Sequence, residues 1–291
     1  MSQQKSQPKM KTKKSRRFHA SLGAGAAILA LFTVTACSSG ESTDQDSLEA
    51  ALADGVLTVG VKFDTRPFGY IPEGQSSVAG FDVDLAAAVA DELGVEVEFV
   101  QVNSQNRILN LNSGKVDVLM ASMLRTPERD ESIDFSIDYF SDGQSLLVPE
   151  GSEIESINDL GPESTVAVVQ GTPEEQTLLE NAPEGTSTVT YQSWPDALQS
   201  LYRGEAEAVT TTVGILYGLK VSSDAAGQPV EIVGEPFADG PIAAGFRDGD
   251  VEFVDAFNGA LLDLQDDGTY EEIYLKWWSK ALPDVYKITE S

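Results

Sequence analysis

Histidine occurs once in this 291-residue chain, as His19, and cysteine once, as Cys37. Neither type recurs further along. Ser-His-Asp and Cys-His nucleophilic sites, zinc sites built on His or Cys, and disulfides are therefore excluded beyond Cys37. Chemistry carried by carboxylates alone stays open. Positive charge is also scarce: 19 lysines and arginines stand against 47 aspartates and glutamates. Seven of the basic residues lie within positions 5–17, so beyond Cys37 twelve face all 47 acids, a net of −35. A surface of that sign repels nucleic acid and anionic lipid faces, and neither is expected as a partner. It reads as a solvated acidic exterior, or as adaptation to salty surroundings where screening limits self-repulsion. Heptads, low-complexity tracts and long linkers are absent after Ser47. The roughly 255 residues beyond Cys37 suffice for one large domain or two ordinary ones.

What is present begins with a leader. Lys5, Lys9, Lys11, Lys13, Lys14, Arg16 and Arg17 precede an apolar, alanine-rich run from Ala20 to Ala36. That run is short and rich in small residues for a membrane span. A basic head, an apolar centre and small residues before a cut describe a secretory signal peptide over 1–36. The other reading is an uncleaved signal anchor with a buried cysteine. Ala36-Cys37 resembles a lipobox, which would make Cys37 the site of lipid attachment. Ser15-Arg16-Arg17-Phe18 bears a slight resemblance to a twin-arginine signal, so both export routes stay open. From Ser38 to about Gln45 the chain is small, polar and poor in apolar residues, so 37–49 reads as a flexible, lipid-anchored tether before a short helix or turn at Leu48 to Leu52.

The stretch Gly80-Phe81-Asp82-Val83-Asp84-Leu85-Ala86-Ala87-Ala88-Val89-Ala90-Asp91-Glu92-Leu93-Gly94 has both ends of a helix written into it. Asp82 is placed to accept from the unpaired N–H groups of the first turn, and Asp84 adds charge where the helix dipole favours it. Leu85, Val89 and Leu93 form one apolar stripe, widened by Ala86 and Ala90. Gly94 suits the left-handed position that ends many helices. A strand, 95–100, follows, and Leu57-Thr58-Val59-Gly60-Val61-Lys62-Phe63 reads as a buried strand before it. Strand, loop, helix, strand is a βαβ unit, whose loops beyond the strand ends meet the ligand. The fifteen-residue pattern resembles the signature of the solute-binding protein family 3, the extracytoplasmic receptors of polar amino-acid ABC importers.

A repeat strengthens that resemblance. Residues 108–122, from Ile108 to Ser122, read as helix end, glycine turn and strand. Ninety residues on, 198–212 do the same. Apolar residues match at 108/198 and 111/201, glycine at 114/204, an acid at 117/207 and a hydroxyl at Ser122/Thr212. Two similar lobes are expected, each sending one strand end toward a shared crevice. Pro173 suits a first helical position and Thr172 before it can cap, so that helix start offers an anion site. Thr269-Tyr270-Glu271-Glu272 has a capping-box pattern opening a last helix.

The resemblance implies an α/β, two-lobed periplasmic-binding-protein-like fold of type II, with two crossover hinge segments and the ligand in the interlobe cleft. Lobe one would comprise 50–143 plus 243–291, and lobe two 147–239. It also implies a monomeric receptor without a cofactor, held at the extracytoplasmic face of the membrane and delivering a small-molecule solute to an ABC permease. By position the ligand residues would be Lys62, Asp64, Phe68, Ser122, Met123, Arg129, Gln170, Thr172, Pro173 and Thr212. Arg129 matches the family's carboxylate-gripping arginine, whose planar fork suits a carboxylate; alternatively it pairs on the surface with Glu128 or Asp130. Phe68 offers the ligand a flat face or packs in the core. Relatives carry an aspartate for the ligand ammonium where Thr212 stands, and often an acid where Lys62 stands. Two readings survive. Asp64 or Glu174 takes the ammonium and Lys62 meets the side chain of a glutamate-like amino acid, or the ligand is a carboxylate or dicarboxylate without an α-ammonium. The competing class is an enzyme on this scaffold, a dehydratase of cyclic carboxylic acids.

Overall fold

A computed structural model describes residues 47–278. The leader, Cys37 and most of the expected tether lie outside the described residues. The helices in chain order are α1 (Ser47–Asp54), α2 (Phe81–Leu93), α3 (Arg107–Asn112), α4 (Pro127–Asp130), α5 (Glu174–Asn181), α6 (Trp194–Arg203), α7 (Val213–Ala225), α8 (Val251–Asp266) and α9 (Thr269–Trp278). The strands are β1 (Val56–Val61), β2 (Asp64–Thr65), β3 (Gly69–Tyr70), β4 (Glu96–Gln101), β5 (Val118–Leu119), β6 (Ile133–Phe135), β7 (Phe140–Pro149), β8 (Thr165–Val169), β9 (Ser187–Tyr191), β10 (Ala208–Thr212), β11 (Val230–Ile242) and β12 (Gly245–Arg247).

Two five-stranded sheets carry the fold, ordered β4-β1-β5-β12-β6 and β11-β7-β10-β8-β9. In the first, β1 runs parallel to β4 and β5; in the second, β8 runs parallel to β9 and β10. The same parallel trio thus occurs twice, and each sheet with its helices forms a lobe. This is the α/β, two-lobed arrangement the repeat implies. The repeat also has a shared mechanical role. Asp117 accepts the Thr58 N–H of β1 at 2.9 Å, and Glu207 accepts the Thr165 N–H of β8 at 2.6 Å. In each lobe the matched acid ties the glycine turn to the start of the central strand. Gly114 and Gly204 take the left-handed conformation, φ 69° and 67°, that only glycine adopts without steric cost.

The lobes are joined by β7 and β11, paired antiparallel from Phe140↔Ile242 to Val230↔Pro149 with a register shift between Val233 and Ala238. Helix α2 buries Leu85, Ala86, Val89 and Ala90 against lobe one and ends at Gly94 with φ 73°. A buried leucine contributes about 2–5 kcal/mol relative to alanine at such a position. Helix α9 is tied to α2 by Lys276 Nζ and Trp277 Nε1, both donating to Asp84 Oδ2 at 2.6 Å.

Three expected caps are absent. Asp82 does not cap α2, because Gly80 occupies the N-cap and the Asp82 side chain turns inward. Helix α5 starts at Glu174 rather than Pro173, and the Thr172 hydroxyl donates to the Val169 carbonyl at 2.7 Å. At α9 the Thr269 N–H is taken by Asp267 Oδ1 at 2.8 Å. In each case a better tertiary or local partner lies within reach of the same group.

Candidate functional site

The strand ends of both sheets converge on a crevice lined by Ser104, Arg107, Ser122, Leu124, Arg129, Thr172, Pro173, Glu174, Trp194 and Ile215. Ser104 and Arg107 follow β4, and Ser122 and Leu124 follow β5. Thr172, Pro173 and Glu174 follow β8, Trp194 follows β9, and Ile215 follows β10. All belong to the loop or first helical turn beyond a parallel strand, where open α/β sheets place their ligands.

The lobes are in contact across this crevice. Arg129 Nη1 donates to the Leu124 carbonyl of its own lobe at 2.5 Å, and Nη2 donates to the Gly171 carbonyl of lobe two at 3.1 Å. Gln105 Nε2 donates to the carbonyls of Gln170 and Gln192 at 3.0 and 3.2 Å. Gly171, at φ 81°, lies so close to Ser104 that a Cβ there would sit 2.6 Å from its carbonyl oxygen.

Three cations and one carboxylate dominate the electrostatics. Arg107 is 3 % exposed; burial, and then the charge of Arg129, push its guanidinium down to about 9. Burial lowers Arg129 in the same way. Lys62, 1 % exposed, donates to Ser104 Oγ at 3.2 Å and lies 3.8 Å from Asp64; burial brings it down to about 8, opposed by Asp64. Glu174, 3 % exposed, is the carboxylate that draws all three cations back toward the protonated form. Its Oε1 accepts from Thr211 Oγ1 at 3.0 Å, while its Oε2 is buried without a hydrogen-bond partner among the described residues. Arg107 Nε is likewise buried and unpartnered. A buried acceptor lacking a donor and a buried donor lacking an acceptor each cost about 1–3 kcal/mol or more. A ligand carrying both complements relieves both.

Of the residues expected from the sequence, Ser122, Arg129, Thr172 and Pro173 are brought together in the crevice. Lys62 stands behind Ser104. Asp64 lines a neighbouring cavity with Arg66, Tyr202 and Gly218. Gln170 sits at the lobe contact, its side chain accepting from Gln192 Nε2 at 2.9 Å. Phe68 is fully buried among Phe81, Phe140 and Trp278, with ring centroids 5.4–6.3 Å apart, and Met123 is packed in the core of lobe one. Thr212 is buried at the head of α7, outside the crevice wall. Arg107 and Trp194 were not expected. The signal for both was position: each stands a few residues beyond the end of a parallel strand.

Among the described residues no helix is long and apolar enough to cross a membrane. Residues 57–280 match the family of bacterial extracellular solute-binding proteins, family 3. The ABC transporter glutamine-binding protein GlnH of Bacillus subtilis (strain 168) is 36 % identical over 264 residues, 86 % of this chain and 95 % of that protein. The glutamate-binding protein GluB of Corynebacterium efficiens is 32 % identical over 256 residues, covering 84 % and 86 %. Among solved structures, an ancestral arginine-binding protein bound to glutamine superposes with a TM-score of 0.72 at 37 % identity, over 78 % of this chain and 99 % of that one. The fold is thus the type II periplasmic-binding-protein fold, and these relatives are solute-binding proteins rather than enzymes. The chain belongs to the bacterial extracellular solute-binding proteins of family 3 and works outside the cytoplasm as the solute-binding component of an ABC transport system.

Proposed function

We propose that this protein captures an acidic, glutamate-like amino acid between its lobes, 50–143 plus 243–291 and 147–239, and hands it to an ABC permease. The observation that carries the reading is the pair of buried, unpartnered groups in one crevice, Glu174 Oε2 and Arg107 Nε. An α-ammonium supplies the donor that Glu174 lacks, and a carboxylate supplies the acceptor for Arg107. Arg129 grips the α-carboxylate through the rest of its planar fork. Lys62, behind Ser104, leaves the crevice rich enough in positive charge for a second carboxylate. Glu174 thereby takes the part that Thr212, a neutral side chain outside the crevice, cannot fill. A ligand without an ammonium would leave the free Glu174 oxygen facing an added anion in a low-dielectric site, which is costly. The relatives are named for glutamine and for glutamate, ligands that differ in the charge of the side-chain end, and the positive charge of Lys62 behind Ser104 favours the acidic one.

Calorimetric titration of glutamate, glutamine, lysine and glutarate tests this. Glutamate is expected to bind tightest, and glutarate to lose about tenfold or more through the unsatisfied carboxylate. Glu174→Gln should weaken glutamate while narrowing its advantage over glutarate. Tight binding of lysine with none of glutamate would overturn the charge assignment.

The basic head, apolar run and Ala36-Cys37 junction support a lipid anchor at Cys37, with the protein working as a tethered monomer. Cys37→Ser is expected to abolish incorporation of labelled fatty acid and release the protein from the membrane. Persistent labelling of the variant would refute the anchor.

A further inference from the structure

The expected cap of α2, Asp82, serves elsewhere. Its side chain is fully buried, and Oδ2 accepts the Ser122 N–H at 2.7 Å while Oδ1 accepts the Tyr139 hydroxyl at 2.9 Å. The other end of the same peptide unit, the Ala121 carbonyl, accepts from Arg107 Nη1 at 2.8 Å and from Ser122 Oγ at 2.9 Å. One peptide plane is therefore held between a carboxylate on its N–H and a guanidinium on its C=O. Each contact is charge-assisted, and the two polarise the peptide in the same sense. Ser122 is, among the described residues, the non-glycine residue with positive φ, at 44°. For a residue with a Cβ that conformation is strained and persists only where its surroundings over-determine it. Asp82 and Arg107 supply that constraint. Both ends of the clamp matter to the crevice, since Ser122 and Arg107 line it.

We propose that Asp82 is a positioning residue for solute recognition: through the Ala121–Ser122 peptide it holds Ser122 in its left-handed conformation and fixes Arg107 against the ligand. Asp82 touches no ligand itself. The proposal rests on the assignment of this crevice as the amino-acid site and adds a residue that neither lines it nor follows from its charge count. Burial pushes the Asp82 carboxyl up to about 6, while the Ser122 N–H, the Tyr139 hydroxyl and the Arg107 charge hold it down. The ionised form, which accepts from both donors, predominates above that value.

The test separates positioning from simple stabilisation by rescue. Glycine adopts positive φ without strain, so Ser122→Gly removes the need for the clamp on the backbone. Asp82→Asn keeps the side-chain shape but loses the charge and one acceptor. It is expected to weaken glutamate binding by about tenfold in the parent, but by no more than about threefold when introduced into Ser122→Gly, so that the direct cost of losing the Ser122 side chain cancels from the comparison. A merely structural aspartate predicts equal losses in the two backgrounds. Parent-like affinity in Asp82→Asn, or an equal loss in the parent and in Ser122→Gly, overturns the proposal. Should Asp82→Asn fail to fold, the parent and Ser122→Gly are compared above and below pH of about 6. The parent is expected to lose more affinity as pH falls and Asp82 gains its proton; equal losses overturn the proposal. Failure of the parent to bind any amino acid of the panel overturns the ligand assignment and this proposal together, whereas failure confined to these variants overturns this one alone.

Discussion

Replacing Arg129 with alanine is expected to weaken glutamate binding by about 2–5 kcal/mol, the range for truncating one partner of a buried, hydrogen-bonded charge pair. That corresponds to a factor between roughly thirty and several thousand in Kd. Two effects add. On the proposed assignment the ligand carboxylate would lose its planar fork, and the lobes lose the bond from Nη2 to the Gly171 carbonyl at 3.1 Å. Arg129→Lys separates them, because lysine keeps the charge but cannot present two parallel donors. Calorimetry should place Arg129→Lys between the parent and Arg129→Ala. An alanine variant within about threefold of the parent would remove Arg129 from the site.

Gly218→Ala is expected to weaken binding without touching the ligand. Gly214 and Gly218 lie one turn apart on α7, on the face that meets lobe one. A Cβ at Gly218 would overlap the Arg66 carbonyl oxygen, and one at Gly214 would lie 2.9 Å from the Trp278 ring and 3.1 Å from the Phe68 ring. The helix thus approaches the first loop of lobe one with bare backbone. An added methyl costs about 1–3 kcal/mol of overpacking, and it falls on whichever state makes the contact. If that state is the closed one, apparent affinity drops by the fraction of closure lost, about 5- to 150-fold. The melting temperature without ligand then changes little. A lower ligand-free melting temperature with unchanged Kd would show that the contact persists when the lobes part.

The repeat made the two lobes legible because its elements are local. Helix end, glycine and strand follow one another within fifteen residues, and periodicity alone exposes them. The chemistry of the crevice was legible only in part. Arg129 and Thr172 were reachable through the resemblance, and Glu174 as one of two candidates for the ammonium, yet Arg107 lines the same crevice from the opposite lobe, and no spacing rule links positions so far apart in sequence. Asp82 failed in the instructive direction. Its place near a helix start suggested a cap, but a fully buried carboxylate gains more from the Ser122 N–H and the Tyr139 hydroxyl. Phe68 had two open readings, and it lies fully buried in T-shaped packing with Phe81, Phe140 and Trp278. Local pattern reports which elements form; it does not report which side chains an element will find across the fold.

The position of β12 between β5 and β6 has a consequence for the order in which the chain can become a protein. Every strand of the second sheet comes from one continuous stretch that ends at Ile242. The first sheet lacks an interior strand until residues 245–247 have been delivered, and among the described residues β6 has no sheet neighbour but β12. A chain emerging from its N-terminus therefore carries the earlier-made lobe unfinished while the later-made lobe is already complete. Lobe one closes only when the last segment returns across more than a hundred residues, a long-range pairing of the kind that slows folding. The half of the crevice holding Arg107 and Arg129 is the half that waits.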